Sequence, residues 1–237
     1  GATAKEFPHK VSEHSTVAEC GDEALLIYQR TQCPCVVAPS RVAAIQALLA
    51  AEDVDLIISD DGLQHYALER DLEIVMYDAR SGFGNGFCLP AGPLREPLSR
   101  LNQVDFVLGR GLDDSQTGVK YCVDALVNVA GDSLLEATPE SIGSEVYAVA
   151  GIGRPQMFFE SLLGLGFSLE EKTFADHHQY VAADFNRLTD QSNKPIIMTE
   201  KDAVKCRHLV GDNAWYLKIS AVVPAEVISA VMALLKK

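Results

Sequence analysis

Three things are scarce in this chain: positive charge, long apolar runs and close cysteine pairs. Each shortage closes off a class of function. The 237 residues carry 20 Lys and Arg against 33 Asp and Glu, a net charge of −13. A nucleic-acid backbone or an anionic lipid surface repels such a balance, so neither is expected as a general partner. No stretch approaches the roughly 18 to 20 apolar residues that cross a bilayer, so the chain is not expected to span one. The six cysteines are scattered, and Cys33-Pro34-Cys35 is the single close pair. No second pair completes a zinc knuckle, and reduced thiols in a cytoplasmic setting are expected instead of a disulfide framework. What is present is a hydrophobic share of 48% with 22% charged residues. That is the composition of a folded globular chain, long enough for one large domain or two small ones.

Strand-length apolar runs alternate with helix-length amphipathic stretches. Pro34–Ala38, Val54–Ser59, Leu72–Tyr77 and Val104–Leu108 read as strands, and Ala24–Arg30 and Arg41–Ala51 as helices. A polar stretch at Leu112–Gln116 leads to a connector strand at Val123–Val129. A second series follows, with strands at Val146–Ala150, Leu169–Phe174, Pro195–Thr199 and Trp215–Ile219. Its helices fall at Pro155–Gly164, Ala182–Leu188, Ala203–Leu209 and Pro224–Lys237. Strand and helix alternating at this spacing predict an α/β fold with a parallel sheet. The division expected along the chain is a first lobe over 1–110, a linker over 111–144 and a smaller α/β lobe over 145–237.

Chemistry concentrates where strands end. Val54–Ser59 runs into Asp60-Asp61-Gly62, and then Leu63-Gln64-His65-Tyr66. In open α/β sheets ligands bind beyond the carboxyl ends of strands. Two acids there suit Mg²⁺, a hard cation that takes oxygen ligands, and the pattern has the shape of a Walker B element. An ordinary Asp-Gly turn is the alternative. Gly21-Asp22-Glu23 opens a helix. Taken alone it reads as acids placed at the positive end of the helix dipole. Asp176-His177-His178 follows a strand and suits proton handling, a metal or a helix start. Gly82–Gly86 has the wrong spacing for a dinucleotide loop, and the prolines after it forbid an immediate helix. A stiff loop presenting Arg95 to an anion fits better, with an ordinary turn as the alternative. Gly151-Ile152-Gly153 reads as a tight turn, and Thr199-Glu200-Lys201-Asp202 as a capped helix start.

Taken in order, Ser59-Asp60-Asp61-Gly62-Leu63-Gln64-His65, Phe83-Gly84-Asn85-Gly86, Leu89-Pro90-Ala91-Gly92-Pro93-Leu94-Arg95-Glu96, Val149–Gly153, Asp176-His177-His178 and Thr199–Lys205 resemble the tetraacyldisaccharide 4′-kinases of lipid A biosynthesis. Each motif alone is weak, and the ordered set is specific. The resemblance implies a P-loop-kinase-like sheet lobe. It implies transfer of the γ-phosphate of ATP to the 4′-hydroxyl of a lipid disaccharide, with Mg²⁺, at the cytoplasmic face of the inner membrane. By matching position, Asp22 would take the hydroxyl proton and His177 would orient Asp22. Glu23 and Asp61 would face Mg²⁺ with Asp60 beside them, and Arg95 and His65 would lie near phosphate or sugar. These groups are expected to converge. The family carries a G-x-x-x-x-G-K-[ST] loop near its N-terminus, after an apolar membrane-associating helix, and no such loop occurs in the 237 residues. The expectation is that this chain begins downstream of both, that the first lobe is incomplete at its N-terminus, and that the complete protein carries the activity while this chain alone binds Mg-ATP weakly. A non-catalytic α/β binding module is the alternative reading, and a metal-dependent hydrolase using Asp60, Asp61 and His177 a third.

Overall fold

The computed structural model describes residues 4, 6–112, 114–189 and 193–236. In chain order the elements are β1 His9–Lys10, α1 Val17–Cys20, α2 Asp22–Thr31, β2 Val36–Val37, α3 Arg41–Ala51, β3 Ile74–Asp78, a 3₁₀ turn Leu98–Gln103, β4 Phe106–Arg110 and β5 Gly118–Asn128. There follow β6 Leu134–Leu135, α4 Pro139–Ile142, β7 Glu145–Ala150, α5 Gln156–Gly164, β8 Ser168–Thr173, α6 Ala182–Thr189, β9 Ile196–Thr199, α7 Glu200–Cys206, β10 Ala214–Val222 and α8 Ala225–Leu234. The predicted α/β class is what is observed.

The chain forms two compact units that interleave. One comprises residues 1–52 and 123–219, the other 53–122 and 220–237. The sequence reading divides the chain in order, at 1–110, 111–144 and 145–237. The observed units cross that order because the first 52 residues pack with the later ones: α2 lies against α7.

In the larger unit β10, β9, β7 and β8 lie side by side and all parallel. β7 has five of its six residues buried and β9 all four. A parallel strand covered on both faces has no solvent side for polar residues, which is why Val-Tyr-Ala-Val-Ala and Ile-Ile-Met are unbroken apolar runs. β8 is the edge of this row, and none of its residues is fully buried. Helix α5 buries Phe158, Phe159 and Leu162 in the core formed with Val146, Ala148, Ile197 and Leu217. A second apolar cluster joins Tyr147, Val149 and Met198 to Phe185, Ala203 and Cys206. Because the strands run the same way, the segments after β7, β8 and β9 all emerge at one edge of the sheet.

In the smaller unit β3 and β4 pair in parallel from Ile74↔Phe106 to Asp78↔Arg110, and β4 meets the start of β5. Its buried core is Leu108, Val119 and Val227. The expected strand at Val54–Ser59 is absent: these residues belong to no ladder among the described residues, and Ile58 is 85% exposed. An apolar run supplies side chains for a strand, but only a hydrogen-bonded neighbour makes it one.

Candidate active site

Asp22 is the first residue of α2, after Gly21, whose φ of 88° suits glycine. It is one of few acids buried in the chain, 5% exposed. His177 lies on the segment after β8, with φ 57°. That left-handed conformation is uncommon outside glycine and marks a position held by its surroundings. The two residues are 155 positions apart, yet His177 Nδ1 lies 3.0 Å from Asp22 Oδ2. A carboxylate can only accept, so with Asp22 ionised the imidazole donates through Nδ1. Asp22 Oδ1 accepts the backbone N–H of Glu23 at 3.0 Å. The imidazole side chain is 57% exposed while that of Asp22 is 7%, so the pair runs from the interior to solvent.

Glu23 faces outward and binds Lys201 Nζ at 2.9 Å. Burial opposes the charged form of Lys201. The bond to Glu23 and the charges of Asp22 and Asp176 outweigh it, and its pKa is raised. Ligand atoms of Asp22, Glu23 and His177 all lie within 4.8 Å of one another. The two carboxylates are the hard oxygen donors that Mg²⁺ takes, whereas the Nδ1 of the imidazole is engaged by Asp22.

Sequence reasoning missed the layer beneath. Asp202 is fully buried, and its Oδ2 accepts the Gly151 N–H at 2.9 Å and the Thr199 hydroxyl at 2.7 Å. Lys205 Nζ lies 2.8 Å from Asp202 Oδ1. Burial, and then the charge of Asp202, raise the pKa of the Tyr180 phenol, keeping it protonated. A Cβ on Gly151 would come 2.6 Å from the Tyr180 hydroxyl, so glycine is what lets this loop close over the cluster. The only signal in the sequence was Asp202 and Lys205 one turn apart after a strand, which helix capping also explains.

The remaining predicted residues sit in the smaller unit. Asp60 and Asp61 are exposed after the 54–59 segment, and Asp61 has φ 49°. Asp61 and Arg95 line a cavity of about 290 Å³ together with Gln64, Phe83, Glu96 and Arg100. His65 is exposed on the turn in which its N–H bonds the Gly62 carbonyl. Glu96 accepts from the Tyr66 hydroxyl and from Gln64, which lower its carboxyl pKa.

Fold and site define an α/β protein whose parallel sheet presents a buried acid–imidazole pair at its carboxyl edge. Its fold matches the crystal structure of LpxK from Aquifex aeolicus in complex with ATP, with a TM-score of 0.75 at 23% identity, over 98% of this chain and 76% of that one. The chain belongs to the tetraacyldisaccharide-1-P 4′-kinase family, whose model matches residues 1–236. It is 47% identical over 224 residues to the tetraacyldisaccharide 4′-kinase of Pseudomonas putida, covering 93% of this chain and 66% of that protein. It is 50% identical over 227 residues to that of Ectopseudomonas mendocina, covering 94% and 67%. The chain thus spans about two thirds of the length of these relatives. Among the described residues no helix is long and apolar enough to cross a membrane.

Proposed function

We propose that the chain works in an ATP-dependent lipid kinase that phosphorylates the 4′-hydroxyl of a tetraacyldisaccharide 1-phosphate at the cytoplasmic face of the inner membrane. The observation that carries this reading is the Asp22–His177 contact of 3.0 Å across 155 residues of sequence. A hydroxyl attacks phosphorus well only as its proton leaves, and a positioned carboxylate accepts that proton. Asp22 takes this role. Its Oδ2 is engaged by His177, and Oδ1 has a lone pair to spare beyond the Glu23 N–H. His177, donating through Nδ1, fixes the carboxylate's orientation.

Phosphoryl transfer otherwise depends on positioning and on neutralising charge. Mg²⁺, when bound, supplies such neutralisation at the transferring phosphate. The family resemblance assigns Glu23, Asp60 and Asp61 to it, and all three are oxygen donors. Glu23 bonds Lys201 through Oε1, which leaves its second oxygen to take part. Arg95 and His65 are assigned to phosphate or sugar.

The test is transfer of labelled γ-phosphate from ATP to the disaccharide by the full-length gene product. Asp22→Ala is expected to abolish most turnover while the KM for ATP stays within a few fold. Equal loss of turnover and nucleotide affinity would move Asp22 from proton transfer to binding.

A further inference from the structure

A charge cluster lies beneath the Asp22–His177 pair and has no part in the scheme above. Lys205 is buried, its side chain 6% exposed, and it faces two carboxylates. Its ammonium is 2.8 Å from Asp202 Oδ1 and 3.8 Å from Asp22 Oδ2, and 5.1 Å from the centre of the Tyr180 ring. Neither Nζ nor Asp202 Oδ1 has a partner in hydrogen-bonding alignment. The 2.8 Å contact is therefore an off-axis ion pair, with Asp22 the more distant of the two acids. Asp202 itself is held on three bonds: the Gly151 N–H and the Thr199 hydroxyl engage its other oxygen, and its own N–H bonds the Thr199 oxygen at 3.2 Å.

We propose that Lys205, anchored by Asp202, is a positioning residue for Asp22. Its ammonium stands behind Oδ2, on the oxygen that His177 also engages, and holds the buried carboxylate in the orientation in which Oδ1 meets the substrate hydroxyl. A carboxylate removed from water needs compensating partners, and Lys205 is a cation buried beside it. Lys205 reaches the reaction only through Asp22. The inference rests on Asp22 being the proton acceptor.

The test uses the full-length gene product in the same transfer assay, with wild type run first. Absence of transfer by wild type overturns the functional reading itself. With an active wild type, Lys205→Met is expected to lower kcat about 10- to 100-fold, as misplacing a catalytic group does, with the KM for ATP and for the disaccharide within about threefold. Lys205→Arg keeps the charge and recovers part of the loss. The double variant K205M/D202N removes both charges, so no unpaired ion is left buried, and it decides the case where K205M alone does not fold. The double variant is expected to fold and to stay slow. Wild-type kcat in K205M or in the double variant, or a loss that falls on KM instead, overturns the proposal.

Discussion

The two units of this molecule hold their apolar residues very differently. Of the buried hydrophobic residues, Leu108, Val119 and Val227 are in the smaller unit and all the rest are in the larger. The smaller unit instead displays Ile58, Tyr66, Met76, Phe87 and Leu89, each at least half exposed. The contrast extends to the candidate residues. Asp22 opens a helix packed on a closed core and His177 sits on the turn just after β8 of that unit, whereas Asp60 and Asp61 follow a segment that joins no sheet among the described residues. A pair that must hold a 3.0 Å contact between distant parts of the chain needs the rigid setting.

Substitutions can break that contrast in order of size. Asp22→Ala in the full-length gene product is expected to cost about 10²- to 10⁴-fold in kcat, the range of a lost general base, measured by initial rates. Leu162→Ala, at a fully buried core site of the larger unit, is expected to lower stability by about 2–5 kcal/mol in urea unfolding. Met76→Ala, at a half-exposed site of the smaller unit, is expected to cost under about 1 kcal/mol. Equal costs at Leu162 and Met76 would erase the distinction between the units. Gly151→Ala lies between them, at about 1–3 kcal/mol, because the added methyl meets the Tyr180 hydroxyl.

The smallest effect is a pH dependence. Burial, and then the neighbouring Cys35, push the Cys20 thiol from the ordinary 9.0 up to about 11. The folded state therefore holds this proton more tightly than the unfolded chain does. Its contribution is complete below pH 9 and is lost as the pH rises toward 11. Urea midpoints across that range are expected to fall less for Cys20→Ser than for wild type.

Much of the larger unit was legible in the sequence. Arg41–Ala51 was read to the residue, and each strand and helix after Val146 was found within a few positions, because strands buried on both faces leave unbroken apolar runs. Val54–Ser59 was misread by the same logic, since composition does not reveal whether a neighbour supplies hydrogen bonds. The interleaving of the units was invisible for a related reason: the packing of α2 on α7 leaves no local signature. At the site, Asp22 reads as a helix cap on its own residues, and only the family resemblance assigns it a place beside His177. Asp202 and Lys205 offered less still, because a capped helix start and a buried charge cluster share one pattern of residues.

The central claim is that Asp22 and His177 act as one unit. A double-mutant cycle on kcat tests it most directly, with D22A, H177A and the combined variant compared in the full-length gene product. The account predicts that adding H177A to D22A changes kcat by less than about threefold, since the imidazole has nothing left to orient. Losses that multiply, with the double variant slower than D22A by the full factor seen for H177A alone, would contradict it.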